Sequence, residues 1–425
     1  MTDVSTPEIE RRSVAFNASS LFMGRLISAL SIWGALIVLA KLAGAETVGI
    51  YALAQAICIP ISEVLKIGLR EIRSSDVEED YDSSDYFRLR LVFGGIAMAA
   101  MVAVSYSQAD TGAILTVLGI YAVVRVVEMI TDILHARFLL VERLDYVGIS
   151  LCISGPLALL ALALGYYLTG DLIIAVTGQL VAVLAVLLFY DLPLSRKVAR
   201  ARAEEAPARN WNVPKLTRLA WLAMPMGFGA ALIMVGLYVP RLWVGAELGV
   251  AALGIFGPIL AMAMAPDRLI NSMLLAISVR LARHHVAGER GTVFLRLAQL
   301  VGGLVFLGLP AIYVCHRFGG DILAFIYNDS FAEYGPLLVL VAVAGFLRVI
   351  ANTLGFGLIA AQQFWWFTWQ NGIVAVVAVL ACHFLIGEYG LVGAGWSMVL
   401  IFSTQLVLAL IGLTTVKESR GAEAP

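Results

Sequence analysis

Eleven charged side chains lie inside long apolar runs of this sequence, and they are the candidates for a chemical role. The seven cations are Arg25, Lys41, Lys66, Arg125, Arg241, Arg268 and Arg348. The four acids are Glu63, Glu128, Asp132 and Asp267. Because charges in a membrane-spanning segment face protein or water rather than lipid, we expect these side chains to line an internal cavity. Cations outnumber acids, so the cavity is predicted to be net positive and to favour an anion over an organic cation.

Five cations are candidate contacts to an anionic substrate, namely Arg25, Lys66, Arg268, Arg241 and Arg348. An arginine guanidinium remains charged and binds phosphate through a planar fork of donors. Alternative interpretations exist for three of them. Arg25 can snorkel to the membrane interface. Asp267 can neutralise the adjacent Arg268, and Arg241 lies near the outer end of its apolar run, where it can anchor to headgroups.

The second candidate set is an ion-coupling site or an internal ion-pair network, formed by Glu63, Arg125, Glu128, Asp132 and Asp267. Arg125, Glu128 and Asp132 follow the spacing i, i+3 and i+7, which places all three on one helix face. Two acids on one face favour the uptake of a proton or another cation between them. No cofactor is expected beyond coupling to a proton or sodium gradient, and we find no metal-ligand cluster, catalytic motif or nucleic-acid-binding signature in the sequence.

Long apolar segments must position these residues, because the chain of 425 residues is 60% hydrophobic and only 14% charged. A membrane-spanning helix needs about 20 predominantly apolar residues, and a window of that length finds about twelve candidates. They lie near 19–43, 46–69, 87–107, 112–134, 144–168, 171–192, 216–244, 248–276, 292–316, 333–360, 364–387 and 390–415. The sequence therefore predicts an all-α polytopic membrane protein with about twelve transmembrane helices in two six-helix bundles around a central cavity.

A polar linker and a short internal echo divide the chain into two halves. Gly44-Ala45-Glu46 follows the first apolar run, and Gly245-Ala246-Glu247 follows the seventh. The predicted units are an N-terminal six-helix bundle at 1–192, a cytoplasmic linker at 193–215 and a C-terminal six-helix bundle at 216–425. Two six-helix repeats with both termini on one side are parallel repeats, which enclose a cavity near the membrane midplane.

Basic residues are distributed unevenly between the connections. They are frequent in the tails and even-numbered connections, as at 196–202 and 280–290. The odd-numbered connections contain essentially one basic residue, Arg317. Basic residues mark the cytoplasmic side of a membrane protein. The sequence therefore predicts that both termini are cytoplasmic.

Several short segments resemble one known family. They are Leu42 to Ala54, Gly68 to Arg70, Tyr86 to Arg90 and the glycine-spaced run Gly390 to Gly395. Together with the layout of two six-span halves, they resemble polysaccharide flippases of the O-antigen type, within the multidrug/oligosaccharidyl-lipid/polysaccharide exporter superfamily. The resemblance covers nearly the whole chain and depends on layout more than on signature residues.

The resemblance implies a flippase of the bacterial inner membrane, active in polysaccharide, lipopolysaccharide or O-antigen biosynthesis and not an enzyme. Its cargo would be an anionic polyprenyl-pyrophosphate-linked oligosaccharide, moved by alternating access, and a polysaccharide polymerase is the candidate protein partner. Related lipid II flippases use cavity arginines from their first, second and eighth spans. Arg25 and Arg268 occupy two of these spans here, whereas the second contains Lys66.

Two other functions are compatible with the sequence. A multidrug or other small-molecule antiporter of the same superfamily would have acids dominating its cavity. A membrane polysaccharide polymerase or ligase would need a large outer loop with catalytic residues, and the longest outer segment here is short, near 317–332.

Overall fold

The computed structural model of this chain describes residues 12–76, 81–109, 111–202, 211–286, 290–361 and 363–414, and these residues contain helices and no strands. Eleven of the described helical segments are long and apolar enough to cross a membrane. The predicted all-α class is confirmed, and the chain is a multi-pass membrane protein. Its contacts define two compact units, Met1–Met234 and Val235–Pro425.

Unit 1 contains eight helices and the first part of a ninth. They are α1 (Val14–Leu42), α2 (Ala45–Leu65), α3 (Leu69–Ser75), α4 (Ser83–Gln108), α5 (Gly112–Leu140), α6 (Leu144–Thr169), α7 (Leu172–Val186), α8 (Leu192–Ala201) and the beginning of α9 (Val213–Leu248). A five-residue π-helical segment, Leu187–Asp191, joins α7 to α8. The boundary between the units therefore falls inside α9, and part of the polar linker continues the sixth span as α8.

Unit 2 contains the rest of α9 and four further helices. These are α10 (Val250–Val286), α11 (Arg290–Ile326), α12 (Gly335–Ala360) and α13 (Phe364–Thr414), with a 3-10 turn at Asp329–Tyr334. The 51 residues of α13 would extend about 76 Å as one helix, against a hydrocarbon core of about 30 Å. Gly390, at φ 58°, interrupts α13 and divides it into two segments of spanning length. Counted in this way, the described helices provide the predicted twelve spans.

Close contact between α1 and α6 determines how α1 is oriented in unit 1. The hydrogens of Gly24 face the backbone of Gly148, and those of Gly148 face the backbone at Ser20, so a Cβ at either glycine would overlap main-chain atoms. Small residues allow such close approach between membrane helices. Because successive helical residues are rotated by about 100°, Arg25 lies to the side of this contact when Gly24 faces α6.

A left-handed turn ends α2 and positions the next charged helix. Ile67 has φ 43° and Gly68 has φ 63°, so the chain leaves the α2 direction before α3 begins. Nη1 of Arg90 donates to the carbonyl of Lys66 (3.1 Å), which satisfies an acceptor at the end of α2. As a result, α3 presents Arg70 towards α5.

Large apolar side chains cover the outer surfaces of both units. Examples in unit 1 are Leu164, Val181 and Trp221, with exposed fractions of 56%, 60% and 72%. In unit 2, Phe306 and Phe325 are 78% and 82% exposed. A water-soluble protein rarely exposes continuous apolar surface of this kind, whereas a bilayer requires it.

The two halves of the chain begin with similar helix pairs. In unit 1, α1 ends at Leu42 and α2 begins at Ala45; in the second half, α9 ends at Leu248 and α10 begins at Val250. The two helix starts are 205 residues apart, which is close to the offset of the tripeptide echo in the sequence.

Candidate functional site

Unit 1 contains a cavity of about 280 Å³, lined by α1, α2, α3, α5, α6, α7 and the π-helical segment. Its lining includes four cations, four acids and one histidine: Arg25, Lys66, Arg70, Arg125, Glu63, Glu128, Asp132, Asp191 and His135. With a neutral histidine these formal charges cancel. The excess of positive charge expected from the sequence is therefore not found in the lining of this cavity.

Arg125 is the centre of an ion-pair network on the cavity wall. Its Nη2 lies 2.8 Å from Oε1 of Glu63, its Nη1 donates to Glu128, and its Nε donates to Oγ of Ser62 (3.0 Å). Glu63 also accepts from Nζ of Lys66 (2.7 Å). Two acids thus share two cations, and the internal ion-pair interpretation of Glu63, Arg125 and Glu128 describes this geometry.

Asp132 belongs to a separate cluster, although it lies one turn beyond Glu128 on α5. Its Oδ1 accepts from Arg70 (2.9 Å) and its Oδ2 accepts from Arg90 (3.0 Å). Both carboxylate oxygens are therefore occupied by guanidinium groups. Glu128 and Asp132 face the same cavity, but each is paired with arginine and they do not form a shared carboxylate pair.

Arg25 differs from the other cations of the lining. Among the residues that the structure describes, it forms no hydrogen bond and no ion pair, and it interacts with Arg70 and Glu71 only through space. It lies eleven residues into α1, about 16 Å along the helix. Its side chain lines the cavity rather than pairing with a carboxylate, so its donors are available to an anion.

His135 and Asp191 form a buried pair on the same wall. Nε2 of His135 lies 3.1 Å from Oδ1 of Asp191, and the two side chains are 6% and 1% exposed. The π-helical segment Leu187–Asp191 carries Asp191 towards α5. Within the described part of the chain, Oδ2 of Asp191 has no hydrogen-bond partner.

Unit 2 contains its own polar cluster, between α10, α12 and α13. Oδ2 of Asp267 accepts from Nε of Arg348 (3.0 Å), and Oδ1 accepts from Nδ2 of Asn352 (2.7 Å). Gln405 donates to Asn352 (3.3 Å). Asp267 is thus paired with Arg348 of α12.

Two further cations predicted to contact substrate belong to the second half of the chain. The guanidinium of Arg241 lies 4.9 Å from the ring centre of Tyr238, one turn earlier on α9. The position of Arg268 lies in α10, but its side chain is outside the described part of the structure.

Sequence reasoning did not select Arg70, Arg90, His135 or Asp191 as site residues. The predicted apolar run 87–107 has Arg90 near its beginning, whereas α4 begins at Ser83 and places Arg90 two turns inside the helix. A capping pattern could have located the start of this helix, because Asp82 is followed three residues later by Asp85. In the structure the side chain of Asp85 accepts from the backbone N–H of Asp82 (3.4 Å). Nothing in the sequence pairs His135 with Asp191, 56 positions away.

This arrangement of helices is the fold of membrane transporters and flippases of the MOP superfamily. The chain is similar to an inward-facing multidrug resistance MATE family transporter of that superfamily, with 13% identity, 98% of each chain covered and a TM-score of 0.61. It is also similar to the lipid II flippase MurJ in an inward closed conformation, with 12% identity, coverage of 95% of this chain and 88% of that one, and a TM-score of 0.73. The resemblance inferred from the sequence is therefore confirmed at the level of fold.

A third solved structure and one relative identified by sequence complete the comparison. A MOP superfamily transporter from Pyrococcus furiosus, described as having a binding pocket of reverse polarity, is 13% identical over 95% of this chain and 94% of that one, with a TM-score of 0.54. The capsular polysaccharide biosynthesis protein CapF of Staphylococcus aureus is 22% identical over 381 residues, covering 89% of this chain and 93% of the relative. No protein-family model matches the sequence.

Proposed function

We propose that the protein is a flippase that moves an anionic, polyprenyl-pyrophosphate-linked oligosaccharide across a bacterial inner membrane by alternating access. The cargo would be a repeat unit of a surface polysaccharide, such as O-antigen. The MOP fold supports transport as the general activity. The similarity to a capsular polysaccharide biosynthesis protein supports a saccharide cargo.

This proposal depends mainly on one observation, that Arg25 has no carboxylate partner in the described part of the chain. The other lining cations each contact a carboxylate, whereas Arg25 contacts none among the described residues. A desolvated guanidinium without a counterion is costly to bury, and a phosphate or pyrophosphate oxygen satisfies it through two parallel hydrogen bonds. Arg25 would therefore hold the pyrophosphate while the polyprenyl chain remains in lipid.

The acids of the cavity argue against an organic cation as cargo. A cationic drug needs a carboxylate that is not already neutralised. Glu63, Glu128 and Asp132 all accept from arginine or lysine, and binding a cation at any of these three would require that partner to leave. The fourth acid, Asp191, contacts His135 and its side chain is only 1% exposed. The multidrug antiporter is therefore the weaker candidate.

The remaining parts of the proposal follow from the sequence pattern. We keep residues 1–192 and 216–425 as the two six-helix repeats, both termini in the cytoplasm, and a polysaccharide polymerase as the protein partner. Transport would be coupled to a proton or sodium gradient. Lys66, Arg241, Arg268 and Arg348 remain secondary candidates, because the structure engages three of them with Glu63, Tyr238 and Asp267.

The test is export of surface polysaccharide in cells that lack the chromosomal copy and carry a plasmid-encoded variant. Arg25→Ala should reduce export at least tenfold at equal protein level, since one charge-assisted contact to the cargo contributes about 1.5–3 kcal/mol. Arg25→Lys should retain part of the activity because it keeps the charge but not the fork.

The matched control is Arg296→Ala, which removes an exposed arginine of α11. It should export normally. Normal export by Arg25→Ala would contradict the proposal, and resistance to cationic dyes conferred by the wild-type protein would favour the antiporter instead.

A further inference from the structure

We propose that His135 and Asp191 form a proton-binding site in the wall of the unit 1 cavity, and that a proton bound there strengthens the binding of an anion in the same cavity. The second part rests on the proposed function, whereas the proton site does not. The chemistry is simple protonation: an aqueous proton adds to the imidazole of His135, and the imidazolium pairs with the carboxylate of Asp191.

The geometry allows His135 and Asp191 to share one proton and leaves one carboxylate oxygen of Asp191 without a hydrogen bond to any residue that the structure describes. Nε2 of His135 and Oδ1 of Asp191 are 3.1 Å apart, within hydrogen-bond distance. Oδ2 of Asp191 has no hydrogen-bond partner among the described residues, and the side chain is almost completely buried. A buried carboxylate with only one neutral donor is unfavourable, and protonation of the adjacent imidazole relieves this cost.

The backbone around Asp191 is unusual in the same place. The segment Leu187–Asp191 is π-helical and joins α7 to α8 without a loop. A π-helical turn widens the helix and redirects side chains, and such segments occur frequently at functional sites. Here the widened turn brings Asp191 against α5, where His135 lies.

Other charged groups near the pair on α5 already have hydrogen-bond partners. On α5, Asp132 acts electrostatically on His135, but Arg70 and Arg90 occupy both of its oxygens. Nη1 of Arg137 donates to Ser195 of α8 (3.0 Å).

The groups on the α6 side are also engaged. Tyr190, which interacts electrostatically with Asp191, Asp145 and Arg143, donates its hydroxyl to the carbonyl of Tyr146 (3.3 Å). Arg143 and Asp145 pair with each other at 2.8 Å. Among the described residues, Asp191 thus contacts a histidine, whereas the other acids of this wall contact arginine or lysine.

Protonation of His135 changes the balance of the whole cavity. The lining has four cations and four acids when the imidazole is neutral, so one added proton makes the cavity net positive. A positive cavity attracts an anion, and by thermodynamic linkage the anion and the proton strengthen each other's binding by the same factor. A proton gradient could then favour loading of the cargo on the side where protons are abundant.

Two measurements on the purified full-length protein in nanodiscs test the proposal. The first is nitrogen NMR of ¹⁵N-histidine-labelled protein, which has only five histidines. The resonance lost in His135→Gln identifies the imidazole. On acidification both of its ring nitrogens should carry protons in the wild type, and Asp191→Asn should alter this response because the carboxylate that pairs with the imidazolium is gone. His383→Gln, at an exposed histidine of α13, should leave this titration unchanged.

The second measurement is the binding of farnesyl diphosphate, a short polyprenyl diphosphate, at acidic and alkaline pH. Affinity of the wild type should exceed that of His135→Gln about tenfold at acidic pH, the effect of one charge at about 10 Å in an effective dielectric of about 20, and match it at alkaline pH. Comparison with the variant removes the titration of the probe itself. His383→Gln should behave as the wild type.

The outcomes separate the two proposals. A His135 resonance that does not titrate, or that titrates identically in Asp191→Asn, overturns the proton site. Titration without a difference in binding between the wild type and His135→Gln overturns the link to the anion. If the wild type fails to bind the diphosphate at every pH, the proposed function fails while the NMR result still decides the proton site.

Discussion

Arg90 of α4 contacts Asp132 of α5 at 3.0 Å, and the arginine side chain is completely buried. The same guanidinium donates to the carbonyl of Lys66 at the end of α2. One residue therefore connects three helices around the cavity. Because Arg70 occupies the other oxygen of Asp132, the helix that follows the left-handed turn is held in place by the same carboxylate.

Removing the charge of Asp132 should destabilise unit 1 strongly. Asp132→Asn leaves two arginines without their counterion, and breaking a buried ion pair of this kind costs about 3–5 kcal/mol. We expect a large fall in the melting temperature of the detergent-solubilised protein, measured by intrinsic fluorescence. Asp321→Asn, at an exposed acid of α11, should melt with the wild type. Equal melting of both variants would show that the Asp132 cluster does not stabilise the fold.

Much of the fold follows from the sequence, because the length of an apolar segment is fixed by the bilayer it crosses. The predicted runs 112–134 and 144–168 lie within α5 and α6 and differ by a few residues at their ends. The pairing of buried charges is less predictable. The spacing predicts that Arg125, Glu128 and Asp132 share one helix face. Arg125 does contact Glu128, whereas Asp132 pairs with residues 62 and 42 positions away.

The π-helical segment and the proton site could not be predicted from local spacing. Nothing in Leu187 to Asp191 differs from an ordinary apolar helix with one polar residue at its end. The contact with His135 depends on how α7 packs against α5, which sequence periodicity does not determine. Likewise, the count of charges gave the first half of the chain four cations against three acids, because it omitted Asp191.

Neutralising Glu63 should increase the affinity of the cavity for an anion. Glu63→Gln releases Lys66 and Arg125 from their shared acid and adds one net positive charge to the lining. We expect farnesyl diphosphate to bind about tenfold more tightly, by the same estimate for one charge at about 10 Å. Glu388→Gln, at an exposed acid of α13, should bind as the wild type. Unchanged or weaker binding by Glu63→Gln would mean that the anion does not occupy this cavity.

A larger side chain at Gly148 should separate α1 from α6. A Cβ at this position overlaps backbone atoms of Ser20 and Leu21, so the helices must move apart and Arg25 moves with α1. Gly148→Val should lower both the melting temperature and diphosphate binding. The matched control is Gly119→Val on α5, where a Cβ meets no atom within 4 Å. If both variants retain wild-type stability and binding, the close approach of these helices does not position Arg25.

The break at Gly390 should place the middle of α13 on the outer side of the membrane. If α13 contains two spans, Glu388 lies at their junction, whereas Ala361 lies at the end of α12, on the opposite side. A cysteine at 388, in a background lacking the four native cysteines, should react with a membrane-impermeant maleimide in spheroplasts. A cysteine at 361 should react only after permeabilisation. Both variants must export polysaccharide, which shows that they are folded. Labelling of 361 but not 388 from outside would reverse the proposed orientation. Protection of both would mean that Gly390 does not separate two spans.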